Sequence, residues 1–164
     1  MSKIAWGKPR IFIKNLDEVS GVWKQIPTPV EDSTSLNPTK GDKLEAKIEG
    51  GENEDVKYKK SNYEFVYSIR EMEGREMPIA HDEGSVVSHY AVALQPENPK
   101  ARGFIIDKSA VSVEDGFNAA DGATWVYSHD VLKPDTGKKV KWGIISVTES
   151  GDGFEVVGEG ADFE

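Results

Sequence analysis

The chain has 164 residues, a formal net charge of −9 and no cysteine. This length suits a single domain with one substantial core. The absence of cysteine excludes disulfides, thiolate nucleophiles and cysteine-based zinc or iron–sulfur sites. The negative charge opposes specific binding to nucleic acid, and no apolar run approaches the roughly 18 residues that span a membrane. The first ten residues lack the apolar stretch of a secretory signal, so we expect folding in the cytoplasm.

Apolar residues recur with a period of two along much of the chain, and this pattern predicts β-strands. The clearest predicted strands cover residues 10–16, 63–69, 90–94, 104–106, 110–114, 124–132 and 140–147. Weaker candidates cover residues 22–26, 44–48 and 154–157. The predicted fold class is therefore mainly β, a β-sandwich or incomplete β-barrel of about seven to ten strands.

Two local patterns predict departures from plain strands. Residues 70–77, REMEGREM, are mostly helix-forming, so they predict one short helix that Pro78 ends. Residues 134–137, PDTG, have the composition of a tight turn between two β-like segments, so they predict a hairpin.

Two polar stretches are predicted to be long surface loops. Residues 27–42 contain three prolines, and residues 50–62 carry alternating charge. Loops of this length in a compact domain are often functional, or become ordered by a partner. In a protein that assembles with itself, that partner would be a neighbouring copy.

No residue of the chain is predicted to be catalytic, to bind a cofactor or to bind a metal. His81 and His129 adjoin acidic residues, but neighbouring side chains on a strand point to opposite faces, which leaves no preformed metal site. Ser88-His89 and Ser128-His129 are likewise adjacent rather than arranged as a nucleophile and a base. All three histidines are interpreted as surface residues, and the chain is predicted not to be an enzyme.

The aromatic residues support an alternative function. Trp6, Trp23, Trp125 and Trp142 could line a sugar-binding face. Trp125 and Trp142 lie on either side of the predicted turn, and a packed core pair explains them more simply. A carbohydrate- or ligand-binding β-sandwich is the second hypothesis.

The end of the chain is acidic. Lys141 is the last basic residue, and six acidic residues follow it: Glu149, Asp152, Glu155, Glu159, Asp162 and Glu164. Such a segment is either a solvated tail or a charged strip at an interface or in a channel.

Several phrases, taken in order, resemble one known family. They are TPVEDSTSLNPTKGDKLEAKIEGGE at 28–52, YEFVYSI at 63–69, residues 84–94, residues 96–134, and VKWGIISV at 140–147. This order is similar to that of phage major tail tube proteins, whose fold is shared with the tube protein of type VI secretion systems. Residues 1–147 are identified as a tail-tube-like β domain, and residues 148–164 as an acidic extension that is an edge strand or tail.

The resemblance implies a structural subunit of a phage or prophage-derived tail tube. Six copies would close into a ring through lateral sheet contacts, and rings would stack into a hollow tube. Residues 27–42 and 50–62 would make the contacts between copies. Other tail proteins would be further partners, and DNA would pass without specific binding. The expected location is the virion tail, assembled in the cytoplasm of a host bacterium, with no contact to a membrane.

Overall fold

The protein is described by a computed structural model that covers residues 7–18, 21–151 and 153–159. These residues form eleven β-strands and no helix, which confirms the predicted mainly β class. The strands are β1 Arg10–Asn15, β2 Lys24–Gln25, β3 Ser35–Thr39, β4 Lys43–Lys47, β5 Asn53–Tyr58, β6 Asn62–Arg70, β7 Ser85–Gln95, β8 Gly103–Asn118, β9 Gly122–Val131, β10 Val140–Ser150 and β11 Gly153–Glu159.

Strand β8 organises the large antiparallel sheet. It is 16 residues long and pairs with β7 along one edge. Its other edge has two successive partners, because β10 pairs with Gly103–Ile106 and β9 pairs with Ser109–Asn118. The main path through the sheet is β2-β1-β7-β8-β9-β6-β3.

The fork at β8 overturns the hairpin predicted at residues 134–137. Strands β9 and β10 flank this turn, but in the sheet they pair with β8 and not with each other. The turn chemistry of these residues makes a reversal favourable locally. The pairing of β9 and β10 is instead decided by their longer-range contacts with β8.

The large sheet curls until its two margins are joined by one short segment. The Ile26 N–H donates to the carbonyl oxygen of Ile11 at 3.0 Å, next to β1. Four residues later, the Val30 N–H donates to the carbonyl oxygen of Ser68 at 2.8 Å, next to β6. Because four residues span at most about 14 Å, the β1 and β6 margins lie close together. The curled sheet is therefore consistent with the predicted β-sandwich or incomplete barrel.

The interior of the curled sheet holds the main core, to which alternate residues of each strand contribute. On β6 the buried residues are Phe65, Tyr67 and Ile69, and on β9 the same period applies. The Phe65 ring lies 5.4 Å from the Tyr67 ring and 5.5 Å from the Phe104 ring. Such tilted and edge-on contacts are the favourable arrangements for aromatic pairs.

A smaller core lies on the opposite face of β1 and is covered by the β10–β11 hairpin. Phe12 points away from Ile11 and Ile13, and its ring contacts that of Phe154 edge-on at 5.2 Å. The Phe154 N–H donates to the carbonyl oxygen of Trp23 at 2.8 Å, which joins β11 to the β2 margin. The boundary drawn between residues 147 and 148 therefore falls inside β10, and β11 is an edge strand of the same body.

The short helix predicted at residues 70–77 is wrong. β6 runs through Arg70, and the chain then turns, with the Arg75 N–H donating to the carbonyl oxygen of Met72 at 3.0 Å. Gly74 has a φ of 79°, which a right-handed helix does not allow. Ile79 then enters the core fully buried. No described residue forms a helix that is long and apolar enough to cross a membrane.

The two predicted loops are also partly wrong, because each contains a strand. Residues 27–42 include β3, which pairs with β6, and residues 50–62 include β5, which pairs with β4. The other nine strands correspond to predicted ones, with β2 inside residues 22–26 and β8 containing both 104–106 and 110–114, so β3 and β5 bring the total to eleven. Both escape the period-two pattern because neither β3 nor β5 buries an apolar face.

Replacing Phe65 with alanine is expected to lower the free energy of unfolding by about 3–5 kcal/mol, because it empties the centre of the main core. The matched control is Phe117→Ala, since Phe117 is 80% exposed whereas Phe65 is 0% exposed. The control should change stability by less than about 0.5 kcal/mol. Chemical denaturation of both variants measures the difference, and equal losses would contradict this account of the core.

Candidate functional site

Strands β4 and β5 form a two-stranded sheet of their own, which we call the arm (residues 43–58). Every residue of the two strands is exposed. Among the described strands, β4 and β5 make substantial contacts only with each other. A lone two-stranded ribbon is marginally stable in water, so the arm adds little to the stability of the body.

The local sequence explains why the arm forms. The Gly51 N–H donates to the Ile48 carbonyl oxygen at 3.1 Å and the Ile48 N–H donates to the Glu52 carbonyl oxygen at 2.9 Å, which closes a loop over residues 49–51. Gly50 and Gly51 in this loop have φ values of 95° and 86°, which other residues rarely adopt. At the base, the Lys59 N–H donates to the carbonyl oxygen of Asp42 at 2.9 Å. Gly41 is needed there because a Cβ at this position would lie 2.0 Å from the Lys59 carbonyl oxygen. The arm thus has a defined exit from the body.

The arm carries apolar side chains that the described chain leaves largely exposed. Its exposed large apolar residues, with 37–49% of their surface accessible, are Leu44, Ile48, Val56 and Tyr58. Between them lie charged residues, including an ion pair between Lys43 and Glu45 at 2.6 Å. The hydrogen bond from Lys43 lowers the pKa of the Glu45 carboxyl group. Exposed apolar area on a protruding element is typical of a contact surface.

Several described strands have an edge without a full partner, and in the large sheet these include β3 and β11. β3 pairs with β6 on one side only, and Pro38 within it removes one backbone donor. β11 pairs with β10, and its other edge has one backbone bond, from Phe154 to Trp23. Unpaired strand edges are templates for pairing with another chain.

A cleft of about 920 Å³ opens above the main core. Aromatic and aliphatic residues form its floor and wall: Leu36, Phe65, Leu94, Phe104 and Trp142. Charged residues also line it: Lys8, Glu31, Asp32, Glu97 and Arg102. An apolar floor with a few charged groups is the usual composition of a ligand site.

Trp142 forms part of this cleft, and the core pair predicted for Trp125 and Trp142 is wrong. Trp125 is buried in the main core, whereas Trp142 is 37% exposed and meets Phe104 edge-on at 5.2 Å. Trp23 is half-buried and bonds to Phe154, and Trp6 lies outside the described residues. The two tryptophans are separated because β9 and β10 diverge at β8.

His129 is buried in the main core, so its interpretation as a surface residue is wrong. The Tyr67 hydroxyl lies 2.9 Å from its Nε2, and the Ser109 hydroxyl oxygen lies 3.0 Å from its Nδ1. Ser109 donates its only hydroxyl proton to the carbonyl oxygen of Tyr90 at 2.7 Å. Nδ1 must therefore carry the imidazole proton, and Nε2 accepts the proton of Tyr67. Each polar group in this side-chain network therefore has a hydrogen-bond partner.

This network serves structure and not catalysis. A serine beside a histidine has the composition of a nucleophile and its base, but Ser109 and His129 are both 0% exposed and no substrate reaches them. Burial lowers the pKa of His129 to about 3 and raises the pKa of Tyr67 well above its ordinary value. Both groups are thus neutral at physiological pH, as a buried network requires.

The other two histidines lie apart from one another. His81 accepts a hydrogen bond from the Gly84 N–H at 2.8 Å through Nδ1, and its Nε2 lies 3.8 Å from an Asp115 oxygen. His89 is half-buried on β7. Among residues 7–18, 21–151 and 153–159, no three histidine or acidic side chains are placed to hold a metal ion.

Comparison with known proteins adds no identity to this geometry. No protein-family model matches the chain, and the search of curated proteins found no match.

Acidification is expected to destabilise the protein through His129. Its pKa is about 3 in the folded state and about 6.5 when unfolded, so the unfolded state binds more protons between these values. The free energy of unfolding should fall by about 2 kcal/mol from pH 7 to pH 5. Denaturant titrations at both pH values measure the fall, and His129→Gln should remove most of it. An equal fall in both proteins would show that another group is responsible.

Proposed function

We propose that this chain is a non-catalytic structural subunit that assembles with copies of itself into stacked rings of the phage tail tube type. The observation that carries the proposal is the arm. It projects 16 residues of chain with exposed apolar side chains and adds little to the body that bears it. An element of this kind is explained by a partner surface, and the resemblance of residues 28–52 to tail tube proteins supports a second copy as the partner.

The shape of the body supports the same proposal. A curled sheet with edge strands at β3 and β11 offers lateral contacts between copies in a ring. The arm offers an axial contact between stacked rings. Lateral and axial contacts together are what rings that stack into a tube need. With a net charge of −9, a wall built of these subunits would repel DNA and let it slide. Other tail proteins at the tube ends and a location in the virion tail follow from this function.

Negative-stain electron microscopy over a concentration series is the direct test. We expect rings or tubes with a central hole, and particles that remain single at every concentration would overturn the proposal. The arm is tested with Leu44→Ser/Val56→Ser, which removes two of its exposed apolar side chains. Assembly should then need a concentration at least about tenfold higher, because these side chains are buried between copies.

The matched control is Met72→Ser/Val87→Ser, since both residues are exposed and lie off the arm. This variant should assemble as the unmodified protein does. A second variant replaces residues 43–58 with Asn-Gly, which closes the hairpin at its base because Asp42 and Lys59 are already hydrogen bonded. It should keep its stability and lose assembly. Full assembly without the arm would refute the role given to it.

A second candidate function is binding of a carbohydrate or similar ligand, and the cleft favours it. Trp142 presents part of its ring beside Arg102 and Asp32, a combination of stacking surface and hydrogen-bonding groups that suits a sugar.

Glycan-array binding followed by titration calorimetry distinguishes a carbohydrate-binding module from a self-assembling subunit. A carbohydrate module would remain a monomer, bind a defined glycan, and lose at least about tenfold in affinity in Trp142→Ala, because the stacking surface is gone. Trp23→Ala, a tryptophan that does not line the cleft, should keep its affinity. Absence of any glycan bound above background would remove this candidate.

A further inference from the structure

The outer face of the β10–β11 hairpin carries apolar side chains that the described chain leaves partly exposed. Trp142 and Ile144 point outward from β10, and the register places Val157 of β11 opposite Ser146 on the same face. These three apolar side chains are 37–49% exposed, whereas Ile145 on the inner face is buried. The hairpin therefore has one face for the body and one for a partner.

The backbone of β11 points to the same conclusion. The Phe154 N–H is directed away from β10, toward Trp23. Because every second residue of a strand directs its backbone groups to the same edge, Val156 and Gly158 also face outward. Among the described residues β11 pairs with β10 alone, so beyond Phe154 no described strand occupies its second edge, which could take a strand of another chain.

Charge determines which strand suits this edge. Glu149 and Glu155 are exposed on the hairpin, and the sequence has no basic residue after Lys141. Two copies that met through the same β11 edge would bring like charges together, which is unfavourable. The hairpin instead requires a basic surface.

A basic surface of this kind lies at the base of the arm. Its lysines are Lys40, Lys57, Lys59, Lys60 and Lys139. The local contacts bring them together, because Lys40 lies over the Tyr58 ring at 4.3 Å and Lys139 donates to the Ser61 carbonyl oxygen at 3.1 Å. This surface is continuous with the unpaired edge of β3, since Thr39 pairs with Asn62.

We propose that the β10–β11 hairpin of one copy docks on the lysine-bordered β3 edge of the next copy. The hairpin supplies the acidic side chains and a free strand edge, and the neighbour supplies the lysines and a second edge. The contact joins two different surfaces, so it repeats from copy to copy, as a ring requires. This inference rests on the proposed function and names the lateral contact.

Charge reversal tests the contact. One variant carries Glu149→Lys/Glu155→Lys, and the other carries Lys59→Glu/Lys60→Glu. Each should raise the concentration needed for assembly by about a hundredfold or more, because like charges then face each other. Mixed together, the two variants have opposite charges at both contacts between unlike chains, so the mixture should assemble at concentrations at which neither variant assembles alone. A chain with all four substitutions should assemble again.

The controls reverse the same number of exposed charges elsewhere, in Glu71→Lys/Glu73→Lys and Lys100→Glu/Lys133→Glu. They should assemble normally, and circular dichroism should show all variants folded. Assembly of the unmodified protein that survives both reversals would overturn this contact and leave the proposed function standing. Failure of the unmodified protein to assemble at any concentration would instead reject the proposed function, and this contact with it.

Discussion

The architecture depends on one constraint, which is that β8 has two edges and three partners. β7 occupies one edge from Phe104 to Ser112, so β9 and β10 divide the other edge between them. Their divergence directs β9 and β6 around the main core, and it directs β10 and β11 over the smaller core at Phe12. The curl of the sheet, the cleft beside Trp142 and the position of the acidic hairpin all follow from this fork.

Stability and contact are assigned to different faces of the same strands. The interior is mainly aromatic and aliphatic, and its polar network from Tyr67 through His129 to Ser109 is fully hydrogen bonded. A satisfied network of this kind favours a single arrangement of the strands that it joins, because any other leaves polar groups unpaired. The exterior carries the exposed apolar residues on the arm and the hairpin. A substitution among the exposed apolar residues therefore has little effect on the stability of the interior.

The sequence predicts the strands that bury one face, and it fails where burial gives no signal. β1, β6, β9 and β10 follow from their alternation, whereas β3 and β5 bury no apolar face and resemble loops in sequence. His129 is a different case, since it continues the alternation of Trp125 and Tyr127, and that pattern alone places it inside. The pairing of β10 with β8 depends on residues far apart in the chain, so no local pattern indicates it. The cleft and the lysine surface depend on that pairing too.

The separateness of the arm has a consequence for how such a protein changes over time. Most substitutions in a core are removed by selection because they cost stability. The conformation of the arm depends on Gly50 and Gly51 in its turn and on Gly41 at its base. Its remaining residues therefore carry almost no folding constraint. They are free to vary with whatever surface they meet. In the proposed assembly, the specificity of one copy for another could therefore diverge between related chains while the fold beneath stays the same.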